Sequence, residues 1–220
     1  FGTRYFDTYA RWKATMVATL DPRTGLMASF LHLDGRPRDV PRGCALSWSL
    51  AVLPHLDPSF ARQQWAAYRR HFIECAAGLC LVREYPRGVE RAWDADSGPL
   101  LFGFGMSASA FALAAARAQG DLEVAESLRR VGELLGGPAT SWWGKRYLGG
   151  VVPMFDIFSA WTRATPIPRG AAPAPSAPWP AIPLALAWTG VVVALSRRAR
   201  AHVRAIPAEA PRSAITALSL

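Results

Sequence analysis

The chain has 220 residues, 51% of them apolar, and a formal net charge of +9. That is enough for one sizeable domain with a real core plus an appendage. Residues 1–170 carry 20 Lys/Arg against 15 Asp/Glu and residues 171–220 five Arg against one Glu, with no basic stripe interleaved by aromatics in the body, which excludes a nucleic-acid partner.

The chain starts at Phe1, which reads as a fragment or processed chain, and Arg4, Asp7, Arg11 and Lys13 interrupt any signal-peptide pattern. Apolar residues then recur at helical spacing. Tyr5–Leu20 is predicted as a helix with Tyr5, Tyr9, Trp12, Met16, Val17 and Leu20 on its inner face, ended by Asp21-Pro22. Cys44–Leu56 is a second helix, opened by Pro41-Arg42-Gly43, with Trp48 in the core. Asp57-Pro58 supplies an N-cap and an N1 proline for a third helix that runs to about Cys75.

Residues 78–86 are predicted as extended or turn. A small-residue helix follows from Pro99 to Gln119, stopped by Gly120, and Asp121 caps the next, Leu122–Leu135. Val151–Arg163 makes a sixth. A faint period of about 50 residues, two helices and a loop, suggests stacked helical hairpins. The small-residue helix is apolar all round and reads as inner, whereas Glu123, Glu126, Arg129, Arg130 and Glu133 mark the fifth as outer.

Residues 166–178 are a Pro/Ala-rich linker. Residues 179–196 carry no charge and are just long enough to cross a bilayer core of about 30 Å. Arg197, Arg198, Arg200 and Arg204 follow in a basic tail, residues 197–220. The expectation is therefore a single-pass membrane protein with its N-terminal domain (residues 1–165) extracytoplasmic and its C-terminus cytoplasmic.

The densest collection of chemistry is residues 83–99, a polar connection ahead of the small-residue helix. Asp94 and Asp96 point the same way if that segment is extended. Two adjacent carboxylates can hold different protonation states, which suits acid–base work. Asp96 and Ser97 read equally well as caps of the following helix. Glu84 is the partner acid, or else half of a surface pair with Arg83, and Tyr85 could stack on a sugar or isoprenoid. Arg42 lies near the acids if alternate helices start on one rim.

Histidines 32, 55, 71 and 202 lack ligand spacing, so no metal is expected. No nucleophile elbow, phosphate loop or dinucleotide fingerprint occurs outside a helical run, so no cofactor is expected either. Cys75 and Cys80, spaced C-x4-C without a second dyad, argue against zinc. The preferred reading makes Cys44, Cys75 and Cys80 small buried residues. In an oxidising compartment Cys75 and Cys80 could instead close a small loop.

Taken together, Pro41-Arg-Gly43, Arg83-Glu-Tyr-Pro86, Asp94-x-Asp-Ser-Gly-Pro99 and the helix ending at Gly120-Asp121 resemble bacterial α/α-toroid proteins. The nearest family is the linalool dehydratase/isomerase-like domains, within the six-hairpin toroids that include many glycoside hydrolases. The likeness covers about residues 5–165. It implies an all-α toroid and a pocket at one end for a sugar or small terpenoid alcohol. About three hairpins are present, so either an N-terminal half is missing or the toroid is incomplete. The family's His and Cys acid–base positions have no aligned counterpart here, and none is carried over. The expected function is lyase or glycoside hydrolase chemistry at a C–O bond, with Asp94, Asp96 and Glu84 catalytic and Arg42, Arg83 and Tyr85 positioning substrate. The alternative is a non-enzymatic membrane protein that binds a partner or glycan.

Overall fold

The structure is a computed structural model that describes residues 5–92, 97, 100–142, 144–147, 150, 153–174, 186, 190 and 193. The chain divides into two units, Phe1–Pro178 and Trp179–Leu220. Among the described residues of the first unit there are six α-helices and three two-stranded antiparallel sheets. The predicted all-α toroid is thereby corrected to a mixed architecture of helices interrupted by small hairpins.

Helix α1 spans Phe6–Ala18. Of its predicted inner face only Met16 is buried, while Tyr5, Trp12 and Val17 are exposed. Helix α2 spans Gly43–Val52 and gives way to a 3-10 turn at Leu53–His55. Pro54 causes the early end, since a proline cannot supply the backbone N–H that the next turn needs. Helix α3, Pro58–Phe72, starts where Asp57 accepts a hydrogen bond from the Phe60 backbone N–H at 2.9 Å.

The predicted continuation of α3 to Cys75 fails. Strand β1, Ile73–Ala76, pairs instead with β2, Leu79–Val82. Ala77 and Gly78 both have positive φ (51° and 75°), as a two-residue primed turn demands. Cys75 and Cys80 face each other in register and are joined by a disulfide, so the preferred reading of three reduced, buried cysteines gives way to the pairing alternative. Cys44 stays outside that disulfide. Hairpin pairing here overrides local helical pattern, because the β-branched Ile73 and the cross-strand bridge both favour the extended chain.

The small-residue helix also starts later than predicted. Strand β3, Leu100–Leu101, pairs with β4, Phe104–Gly105, through a turn at Phe102 and Gly103, both with positive φ. Helix α4 begins only at Met106 and ends at Ala118, with Gly105 as its N-cap. Ser97 therefore does not cap it; Asp96, the other candidate cap, lies outside the described residues. Helix α5, Leu122–Gly136, is capped by Asp121 and stopped by the left-handed Gly137. A third hairpin follows, β5 (Ala139–Ser141) with β6 (Gly144–Arg146), and then α6, Pro153–Ala164.

The core gathers where α2 and α4 cross. Ala108, Ala112, Ala115 and Ala116 of α4 are fully buried, and their small side chains let α2 approach. Leu46 and Leu50 of α2, Phe60, Tyr68 and Phe72 of α3 and Val82 of β2 complete it. Full burial of each large apolar side chain stabilises by about 1.5–3 kcal/mol. One polar knot crosses this core. The Ser47 hydroxyl sits between the carbonyls of Gly43 (2.8 Å) and Ala108 (3.1 Å) and the Tyr68 hydroxyl (2.5 Å). Burial pushes the Tyr68 phenol far above its usual range, so it stays protonated.

Of the predicted membrane span, only Leu186, Gly190 and Val193 are described, each in helical conformation. The rest of residues 179–196 and the basic tail lie outside the described residues. Among the described residues no helix is long and apolar enough to cross a membrane. The single-pass anchor, and the extracytoplasmic and cytoplasmic assignments that depended on it, are withdrawn.

Candidate functional site

The site is built on residues 83–85, where the chain leaves β2, bridges to Phe104 at Arg83 and bends at Glu84 and Tyr85 between three neighbours. The Arg83 N–H donates to the Phe72 carbonyl at 2.9 Å, and the Glu84 N–H to the Gly103 carbonyl at 3.0 Å. On the other side the Gly43 N–H donates to the Glu84 carbonyl at 2.7 Å. Helix α2 thus starts with its backbone pressed on this strand. A Cβ at Gly43 would lie 2.0 Å from the Arg83 carbonyl oxygen, so only glycine fits.

This contact brings Arg42 and Glu84 together. Arg42 Nε donates to Glu84 Oε1 at 2.9 Å, and the Cys44 backbone N–H donates to Oε2 at 3.1 Å. Glu84 is fully buried and Arg42 is 4% exposed. A carboxylate at the first turn of α2 also meets the positive end of the helix dipole. The Arg42 backbone N–H donates to Ser29 Oγ at 2.8 Å, which fixes the entry to the helix. The guanidinium lies over the rings of Tyr85 (5.3 Å) and Phe30 (5.8 Å).

Above this pair opens a cleft of about 500 Å³, walled by Phe30, Arg42, Cys44, Trp48, Glu84 and Phe111 among others. Trp48 is 45% exposed rather than part of the core predicted for it. It stacks on Trp161 with centroids 4.8 Å apart and meets Phe111 edge-on at 5.0 Å. Phe158 packs edge-on against Phe111 at 4.8 Å, extending the aromatic wall into α6. An arginine paired with a buried acid beside aromatic faces suits a ligand with a hydroxyl at one end and an apolar body or sugar face at the other.

Of the predicted site residues, the structure joins Arg42, Glu84 and Tyr85. Tyr85 is buried beneath Arg42 and is not among the residues that wall the cleft. Arg83 lies apart from the cleft, paired with Glu74 at 3.1 Å and over the ring of Phe104. Asp94 and Asp96 fall outside the described residues. Phe30, Cys44, Trp48 and Phe111 were not anticipated. Cys44 and Trp48 carried a usable signal, because four residues apart on a helix they share a face with the start of α2. Phe30 and Phe111 carried none, since tertiary packing alone brings them there.

Among the described residues no group of three His, Cys, Asp or Glu side chains could hold a metal ion. Compared with family models and with curated proteins, the sequence matches none of them.

Proposed function

We propose that the cleft binds a sugar or a small terpenoid alcohol and that the chain acts on a C–O bond there by acid–base chemistry. The observation that carries this reading is the buried Arg42–Glu84 pair at the foot of an aromatic cleft. Taking such a pair out of water costs several kcal/mol, which a fold tolerates where the charges are needed. The resemblance to linalool dehydratase/isomerase-like domains supplies the substrate class and nothing of the architecture.

In a lyase reaction one acid protonates the substrate hydroxyl, the C–O bond breaks and water leaves. A base then takes a proton from the neighbouring carbon, whose electrons form the C=C bond. In hydrolysis the acid protonates the bridging oxygen, the C–O bond breaks as the alcohol leaves, and water adds to the carbon while the base takes its proton. Asp94 is the proposed acid–base group, with Asp96 or Glu84 opposite. Arg42 donates to the substrate oxygen, and Tyr85 beneath it holds the guanidinium in place. Incubation with linalool and with aryl glycosides, read by gas chromatography and by phenol release, tests the reading. Turnover in the wild-type chain that is lost in Asp94→Asn, with the helical circular dichroism kept, supports it. Equal turnover in that variant removes Asp94 from the chemistry.

A second reading has its own observation. Both Glu84 oxygens are already engaged, by Arg42 and by the Cys44 N–H, which suits holding a charge in place more than moving a proton. On that basis the cleft belongs to a non-enzymatic domain that binds a glycan or partner. Saturable quenching of tryptophan fluorescence by a ligand that is never turned over, lost in Trp48→Ala, would favour it.

A further inference from the structure

The turn of the β3–β4 hairpin runs against ordinary preference twice over. Phe102 has a φ of 52°, in the left-handed region that glycine and asparagine occupy at little cost and a bulky side chain does not. Its ring is also 86% exposed, and Leu101 beside it is exposed as well. Neither turn geometry nor core packing calls for phenylalanine there, since a two-residue turn of this kind takes Asn-Gly best. Exposed apolar side chains gathered at one point mark a contact surface.

The β5–β6 hairpin carries a second such finger. Trp142 sits at its turn, 83% exposed, and both strands are exposed along their length. The two hairpins spring from one end of the α4/α5 pair. β4 leads into the start of α4, and β5 follows the end of α5. Met106, the first residue of α4, Gly136, the last of α5, and Tyr147, next after β6, wall one small hollow, so these ends lie together. Positive charge accompanies the tips. Lys145 and Arg146 of β6 follow closely on Trp142, and with three arginines of α5 and α6 they pair with only three carboxylates, Glu126, Glu133 and Asp156. Five cations against three carboxylates leave a surplus of two positive charges, on a chain whose net charge is +9.

We infer that this end of the molecule docks on an anionic lipid surface, with Leu101, Phe102 and Trp142 at the boundary of headgroups and acyl chains and Lys145 and Arg146 against lipid phosphates. Aromatic and aliphatic side chains beside basic ones are the composition that the bilayer interface favours. Two projecting tips, rather than a groove, suit a fluid surface, and the contact needs no spanning helix.

The test sediments the full chain with sucrose-loaded vesicles of phosphatidylcholine, with or without about one part in four of phosphatidylglycerol. Binding to the anionic vesicles is expected, weaker by roughly tenfold on the neutral ones. Phe102→Asn is the decisive variant. Asparagine tolerates the positive φ, so the melting temperature holds or rises while the partition coefficient falls by roughly tenfold or more. A purely structural role for Phe102 would move the two together. Trp142→Ser weakens binding by a similar factor and keeps the helical circular dichroism. No sedimentation with anionic vesicles, equal sedimentation with neutral ones, or undiminished binding in Phe102→Asn overturns the inference. So does self-association that Phe102→Asn abolishes in the absence of any vesicle binding, which would make the tips an interface between copies of the chain.

Discussion

Two clusters of opposite charge stabilise this chain in different ways. The Arg42–Glu84 pair is buried, and its partners are mostly backbone: Cys44 N–H, with Gly43 N–H on the adjacent carbonyl. The Glu133 cluster lies at the rim of α5, where Lys145 and Arg163 keep 37% and 31% of their side chains in water. Burial pushes the Glu133 carboxyl up, but hydrogen bonds from Lys145, Arg163 and Tyr147 outweigh it and hold its pKa at about 2. The first cluster fixes where α2 meets β2 and so makes the cleft. The second clasps α5 to β6 and α6 and stays adjustable, because solvent can replace any one partner. Depth of burial, rather than the number of ion pairs, separates the two roles.

The sharpest way to break the contrast is to remove one member of the buried pair. Glu84→Ala takes from the buried Arg42 the carboxylate that its Nε meets at 2.9 Å and should cost about 3–5 kcal/mol in chemical denaturation. A loss below 1 kcal/mol would mean that water reaches the pair, and the two clusters would then be alike. Next comes Gly43→Ala, whose new methyl meets the Arg83 carbonyl. The strand must shift, at a cost of about 3 kcal/mol, and the Trp48 fluorescence should change with it because the cleft moves. An unchanged melting temperature would show that α2 does not need this close approach.

The smallest effect belongs to the solvated clasp. Because the folded pKa of Glu133 is depressed from 4.5, its contribution to stability is present above about pH 4.5 and is lost as pH falls toward 2. After allowance for solvent screening this is about 1 kcal/mol. Denaturation of wild type and Glu133→Gln from pH 6 to pH 2 isolates it. The two curves should converge at low pH, and parallel curves would place the acid sensitivity elsewhere, for example at Glu126, whose carboxyl is also held low by Arg129.

The cleft was partly legible before folding was known. Arg42 stood out at the start of the second helix and Glu84 in the polar connection of residues 83–99, and they do meet. The same reading placed Trp48 in the core and made Arg83 and Tyr85 substrate contacts, whereas the structure puts Trp48 on the cleft wall, Arg83 on Glu74 and Tyr85 under Arg42. The chain bends at Glu84 and Tyr85, so the neighbours that flank residues 83–85 decide where each side chain ends.

What the sequence alone determined was local: helix caps at Asp57 and Asp121, the stop at Gly120, and the charged face of α5. These follow from hydrogen bonds and dihedral limits that span a turn or less. Only the tertiary structure decided that residues 73–76 and 100–105 leave the helical pattern for hairpins, and that α2 lies against α4 and β2. The hairpins join residues up to nine positions apart and burial joins residues tens of positions apart, and those contacts outweigh a local preference of a few tenths of a kcal/mol per residue.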